Sequence, residues 1–240
     1  MKTLRPSTAD DLLAAVQEAL ADATPLEVMG GGTKRDLGRP FQASGRLDMS
    51  AMVGITLYEP GELVLTALAG TPLSEIEKAL REQRQELAFE PPDLGPLFGM
   101  DEGKQTIGGV VSGNLAGPRR IKAGAARDHF LGFHAVSGRG EAFKSGGRVM
   151  KNVTGYDLSK LMAGSWGTLA VLSDVTLKVL PAAEKTRTVL VLGLDPARAV
   201  AAMTAALTGP HDVSGAAHLP LGLARLSSVS YVQGAGRSMT

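Results

Sequence analysis

The sequence predicts an α+β fold, and three observations carry that prediction. The first part of the chain alternates strand-like and helix-like patterns, whereas later strand candidates follow one another through short turns, as in a mostly antiparallel sheet. Glycine supplies 30 of 240 residues while aromatics make up only 4%, which points to many tight turns or to a backbone lying close against a large ligand. Hydrophobic residues at 44% and charged residues at 20% describe a globular chain, long enough for one sizeable domain or two small ones.

The elements read as follows. Ser7 and Thr8 each stand three residues before an acidic residue, Asp10 and Asp11, as in a capping box. Leu12, Leu13, Val16, Ala19 and Leu20 then fall at helical spacing, and Pro25 closes the segment. Leu26–Met29 reads as a strand running into Gly30-Gly31-Gly32-Thr33-Lys34. Further strands are expected at Leu47–Ser50, Ile55–Tyr58 and Leu63–Ala69, with a turn at residues 59–62. Thr71-Pro72 starts a helix with Pro72 as its first helical residue, continuing to about Arg84. Residues 90–105, rich in Pro, Gly and Asp, form an irregular loop.

Thr106–Leu115 reads as a glycine-dotted helix packed on something flat. His129–Ser137 and Glu141–Lys144 flank Gly138-Arg139-Gly140 and make a hairpin. Asp157–Met162 is a short helix. Leu169–Leu180 alternates as one long strand ended by Pro181. Thr188–Leu192 reads as a further strand and Pro196–Leu207 as an alanine-rich helix. The last twenty residues lack periodicity and read as a frayed, truncated end, with a native short terminus as the alternative.

Composition excludes several function classes. With 25 Lys+Arg against 24 Asp+Glu, a net charge of +1 gives no basic excess for neutralising phosphates, so nucleic acid is not the expected partner. The absence of cysteine removes disulfides, thiolate nucleophiles, thiolate zinc sites and cysteine-ligated iron–sulfur clusters. Redox chemistry would therefore need a bound organic cofactor or an outside partner. There is no apolar run of signal-peptide length at the N-terminus and no stretch of 18 apolar residues, so neither a leader nor a membrane span is expected. The expected compartment is the cytoplasm, with peripheral membrane contact only through partners.

Three segments are candidates for chemistry. A strand ending in GGGT exposes backbone N–H groups without Cβ atoms in the way, which suits a phosphate or pyrophosphate; Lys34 and Arg35 add positive charge. An ordinary glycine turn is the alternative, and neither the Rossmann nor the P-loop spacing is present. In Thr106–Asn114, glycines inside a helix cost about 1 kcal/mol each relative to alanine. Close packing or the approach of a planar ring would offset that cost, with Ser112 and Asn114 able to hydrogen-bond. Gly164–Val171 is a glycine-bounded loop entering a strand. His129 and His134 are expected on opposite faces of one strand, and no histidine has metal-ligand spacing. Arg119-Arg120 follows Gly117-Pro118 and is placed to face an anion, while Asp128 reads as an ion pair with Arg127. No Ser/His/Asp grouping supports hydrolysis.

Taken in order, VMGGGTK (28–34), TIGGVVSGN (106–114) and GSWGTLAVLSDVTLKVLP (164–181) resemble the vanillyl-alcohol oxidase / p-cresol methylhydroxylase (PCMH-type) family of FAD-binding domains, over roughly residues 5–181. EPGELVLTALAGTPLSEIE (59–77), GNLAGPRR (113–120), RDHFLG (127–132) and GGRVMKNVTGYDLSKLMAGSWGTL (146–169) are similar to the FAD-binding E-type subunits of bacterial glycolate oxidases (glycolate dehydrogenases). The resemblance implies two α+β subdomains, about 1–57 and 58–181, with FAD between them, followed by a short, incomplete α/β segment over 182–240. It implies that Gly30, Gly31, Gly32, Thr33 and Lys34 hold the FAD pyrophosphate. Thr106, Gly108, Gly109, Ser112, Gly113 and Asn114 would line the flavin and its ribityl chain, and Gly167, Thr168 and Val171 would contact the nucleotide end.

The departures from the family pattern matter too. With no Cys, and with Lys34-Arg35 where a tethering histidine would stand, the FAD is expected to be non-covalent. Too few residues follow Pro181 for a complete substrate-binding cap, and nothing matches the histidine-rich substrate site of the catalytic partner. The implied function is a FAD-holding subunit, acting in electron transfer or support, of a heteromeric glycolate (2-hydroxy-acid) dehydrogenase. Its implied partners are a catalytic flavoprotein subunit and an iron–sulfur subunit. The alternatives are a stand-alone FAD-dependent D-lactate or 2-hydroxy-acid dehydrogenase, and a non-catalytic assembly module. No catalytic residue and no metal ligand is assigned.

Overall fold

The computed structural model describes residues 1–39, 42–148 and 155–222. Its contacts divide the chain into two units, Met1–Thr186 and Arg187–Thr240.

The first unit opens with β1 (Lys2–Leu4) and α1 (Ala9–Ala21). Thr8 caps α1: its hydroxyl accepts from the Asp11 N–H, and the Asp11 carboxylate accepts from the Thr8 N–H, both at 3.1 Å. Such a cap is worth about 1 kcal/mol. β2 (Leu26–Met29) and β3 (Gly45–Asp48) follow, and the three strands form a small parallel sheet in the order β1-β3-β2. The strand expected over Leu47–Ser50 is thus shifted. The Asp48 carboxylate accepts from the Ser50 N–H and turns Met49–Ala51 into a 3-10 turn. Leu12, Val16, Leu47 and Met52 pack together under α1, with Val136 and Val171 of the larger sheet in the same cluster. That cluster ties the small sheet to the large one.

The larger sheet is antiparallel throughout. It comprises β4 (Ile55–Glu59), β5 (Val64–Leu68), β7 (Phe130–Ser137), β8 (Ala142–Gly146) and β9 (Ala170–Lys178), in the order β4-β5-β9-β7-β8. Between β5 and β7 lie α2 (Leu73–Glu82), β6 (Gln85–Glu86), α3 (Ile107–Ser112), α4 (Arg120–Ala123) and α5 (Ala126–His129); α6 (Leu158–Met162) precedes β9. One face of the sheet and these helices share a core that includes Leu65, Ile76, Phe89, Ile107, Val110 and Leu177. On β5 and β9 the Thr66 and Thr176 hydroxyls hydrogen-bond at 2.9 Å. A two-residue ladder joins β6 to β10 (Leu180–Pro181), so the long strand expected to Leu180 breaks at Val179.

Other expectations are corrected. Pro72 is the N-cap of α2, not its first helical residue. His129 ends α5, outside β7, and is buried; His134, on β7, is exposed and paired with Asp174. The Asp128 carboxylate accepts from the Ala125 N–H at 2.9 Å and so caps α5, leaving Arg127 aside. Arg119 pairs with Glu86 at 2.6 Å through one terminal nitrogen, so a protein carboxylate meets it where an external anion was expected, while its buried Nε has no hydrogen-bond partner among the described residues.

In the second unit, α7 (Pro196–Thr208) is capped by the Asp195 carboxylate, which accepts from the Arg198 N–H. The strand expected at Thr188–Leu192 does not form, and Val189 to Leu192 are exposed. Residues 149–154, part of the VMKNVTG string, and the final residues from 223 lie outside the described residues.

Candidate functional site

Within the first unit, a cleft of about 520 Å³ opens where the end of β2 meets α3 and the start of β9. Its size falls in the range of small-molecule and cofactor sites. β2 delivers the chain to Gly30, and the loop beyond lies directly on the segment entering α3. A Cβ on Gly30 would fall 2.4 Å from the Thr106 hydroxyl, and one on Gly31 only 1.6 Å from the Lys104 carbonyl oxygen. Gly32 has φ +75°, the left-handed region that favours glycine. The glycines therefore let two backbone segments touch. The N–H groups of Gly31, Gly32, Thr33 and Lys34 donate to no acceptor among the described residues. Four consecutive amides without such an acceptor, on residues lining a cleft, suit an anion as a nest does.

The charge beside this nest differs from the sequence expectation. Lys34 lines the cleft, and its Nζ donates to the Thr33 hydroxyl at 3.1 Å. Burial pushes the Lys34 ammonium down to about 8, against the opposing pull of the Asp93 carboxylate. Arg35 also borders the cleft, but its guanidinium is engaged by Glu27 at 2.6 Å. Arg46 holds the same carboxylate at 3.0 Å. Burial pushes Glu27 up, yet the hydrogen bonds from Arg35 and Arg46 outweigh it and leave its pKa below the ordinary carboxylate value. This ion triad anchors the glycine loop to β2, so Arg35 is a strut, while Lys34 lines the cleft without a carboxylate partner within salt-bridge distance among the described residues.

The second wall is α3. Thr106 caps it, with Gly109 N–H donating to its hydroxyl at 3.4 Å. Gly108 presses on the Ala69 carbonyl, where a Cβ would fall at 2.7 Å. Thr106, Gly108, Gly109 and Ser112 line the cleft. Gly113 and Asn114 do not. Gly113 is covered by Trp166, and the Asn114 carboxamide oxygen turns away to accept from the Arg127 N–H at 3.0 Å. The third wall contains Gly167, Thr168 and Val171, with Gly167 lying on Val28.

The structure thus gathers Gly30 to Lys34, Thr106, Gly108, Gly109, Ser112, Gly167, Thr168 and Val171 around one space. Trp166, Arg39 and Met49 line it too, and sequence reasoning missed them. Trp166 sits inside the very string that was singled out. Arg39 follows the glycine loop closely enough to have been considered with Lys34.

Chemically, the cleft offers an anion nest with the cations Lys34 and Arg39 in its lining and a largely apolar surface elsewhere. That suits a long ligand with an anionic centre and flat, weakly polar ends, and FAD has this form. Among the described residues the lining holds no histidine, and its single carboxylate, Glu27, is engaged by two arginines. No group of three His, Cys, Asp or Glu side chains suited to a metal ion occurs among the described residues.

Comparison with known proteins agrees with this chemistry. A family model described as an FAD binding domain matches residues 2–146. Glycolate oxidase subunit GlcE of Escherichia coli K12 is 47% identical over 170 residues, 71% of this chain and 46% of that protein. Glycolate oxidase subunit GlcD of Bacillus subtilis 168 is 28% identical over 79% of this chain and 39% of its own length. D-lactate dehydrogenase of Archaeoglobus fulgidus is 30% identical over 74% and 38%. The chain therefore spans less than half the length of these relatives. Among solved structures, alkyldihydroxyacetonephosphate synthase superposes with a TM-score of 0.61 at 22% identity, over 76% of this chain and 32% of that one, and so shares the fold.

Proposed function

The chain belongs to the FAD binding domain family, with a PCMH-type α+β fold and FAD as its cofactor, and on that premise we propose that it is the FAD-holding subunit of a heteromeric glycolate dehydrogenase. The complex would oxidise glycolate, a 2-hydroxy acid, to glyoxylate. This chain would act in electron transfer or support, with a catalytic flavoprotein subunit and an iron–sulfur subunit as partners. When bound, FAD supplies the redox chemistry, taking up a hydride and passing electrons onward.

The chain's own residues contribute binding and placement. The amides of Gly31 to Lys34 would hold the pyrophosphate, with Lys34 balancing its charge. Thr106, Gly108, Gly109 and Ser112 would lie along the ligand, and Gly167, Thr168 and Val171 would close the other side. The absence of cysteine supports non-covalent attachment. Residues 1–181 would form the FAD domain and 182–240 a separate segment. No helix among the described residues is long and apolar enough to cross a membrane. We propose a cytoplasmic complex that reaches the membrane only through partners.

The observation that carries this reading is the anion nest joined to an apolar cleft whose lining, among the described residues, holds no histidine and only one carboxylate, Glu27, which two arginines engage. A cleft of that kind suits a dinucleotide and lacks the histidine or free carboxylate that most often takes a hydroxyl proton. The D-lactate dehydrogenase relatives favour a second reading, a stand-alone 2-hydroxy-acid dehydrogenase. One experiment separates the two. The purified chain should carry about one FAD, released by heating, and glycolate should bleach it only when the catalytic subunit is added. Bleaching of the isolated chain by glycolate or D-lactate would favour the second reading. No uptake of FAD in excess cofactor would refute both.

A further inference from the structure

Trp166 is the single tryptophan of the chain and, among the described residues, the one aromatic residue lining the cleft. It is half-exposed. Its φ is +55°, between Gly164 at +85° and Gly167 at +75°. A bulky side chain in the left-handed region is an outlier, and such strain gathers at ligand clamps. The surrounding turn enforces it: the Trp166 N–H donates to the Ser112 carbonyl at 3.0 Å, and the indole rests on Gly113, where a Cβ would meet it at 3.3 Å. Gly113 ends α3, the helix whose first turn is capped by Thr106 next to the glycine loop. About 10 Å of helix separates the two ends. A large flat apolar group is thus held, at a conformational cost, beside the cleft and away from its anion nest.

We propose that Trp166 is a stacking wall for a planar ring of the bound dinucleotide, and that its indole sets much of the affinity. The inference rests on the FAD-binding reading above and adds a residue to it. An indole offers a π-face to either ring system, the isoalloxazine or the adenine, and the chemistry is the same for both.

The test is calorimetric titration of FAD, FMN and ADP into the cofactor-free chain, as wild type, Trp166→Phe and Trp166→Ala, with a thermal melt of each. Trp166→Ala should bind FAD roughly ten- to hundredfold more weakly, and Trp166→Phe should stay within about fivefold of wild type. A matching loss for FMN assigns the isoalloxazine ring, and one for ADP assigns the adenine. If Trp166→Ala does not fold, the emission of the single tryptophan in the wild type decides. Its access to acrylamide should fall when ADP or FAD is added. Wild-type affinity in Trp166→Ala, or unchanged acrylamide access, overturns the stacking role while leaving FAD binding intact. A wild-type chain that binds no FAD overturns the FAD reading itself, and this inference with it.

Discussion

Lys34→Met is expected to make the cofactor-free protein more stable and the FAD complex weaker. In the folded chain burial brings the ammonium from 10.5 to about 8. That difference is worth about 3 kcal/mol against the charged folded state. Methionine fills similar space with no charge to desolvate. Because the folded pKa lies below the unfolded one, the unfolded chain binds more protons between pH 8 and 10.5. Wild-type stability therefore climbs with pH across that window. Below pH 8 both states are protonated and the penalty is complete. The variant should melt several degrees higher at pH 7, and its advantage should vanish near pH 10.5. Binding follows the opposite course. A pyrophosphate beside Lys34 favours the proton, so wild-type FAD affinity should hold steady below about pH 8 and weaken above it. The variant should bind more weakly at pH 7 and show no such bend. Thermal melts and calorimetry from pH 7 to 10.5 measure both. Equal melting temperatures at pH 7, or parallel affinity profiles, would refute the placement of Lys34 as a desolvated cation facing the anion.

Other substitutions test the frame around the cleft. Gly31→Ala sets a Cβ against the Lys104 carbonyl, a backbone atom that cannot swing aside, so FAD content after purification should fall close to zero and stability by about 1–3 kcal/mol. Glu27→Ala strips Arg35 and Arg46 of their shared carboxylate and should cost about 2 kcal/mol in urea unfolding, with looser FAD binding because the glycine loop loses its anchor. Burial pushes the His129 imidazole below its ordinary 6.5. Its share of stability is therefore complete above pH 6.5 and lost as pH falls. His129→Gln, which still donates to the Ala123 carbonyl, should flatten that acid slope in pH-dependent urea midpoints.

What the sequence conveyed was mostly local. The Thr8/Asp11 cap, the helix from Ile107 and the hairpin around Arg139 depend on neighbours within a few residues, and their patterns are legible. What escaped depends on distant partners. β6 and β10 are two residues each and exist only because they meet. Val189–Leu192 has a strand's composition, yet forms no strand among the described residues. The charged residues show the same division. Arg35 and Arg119 read as free cations because Glu27 lies on the strand before the loop and Glu86 stands 33 residues from Arg119. Asn114, read from its place in a motif, also has a partner the motif does not show, the Arg127 N–H, which donates to its carboxamide oxygen.

The order of the large sheet also governs when the protein can fold during its synthesis. Its middle strand, β9, is the last of the five to be made, and the Thr66–Thr176 pair joins residues 110 apart. At roughly 5–20 residues per second, β5 waits about 5–20 seconds for its inner neighbour. Until then the β4–β5 hairpin shows water an unpaired edge, with Leu65 and Ala67 uncovered. Closing so long a loop slows folding and favours association of nascent chains. Residues 170–172, which complete the cleft, emerge in that same late segment. The cofactor thus meets a finished site only after the sheet has closed, so a shortage of FAD would act on the closed sheet and not on its early folding.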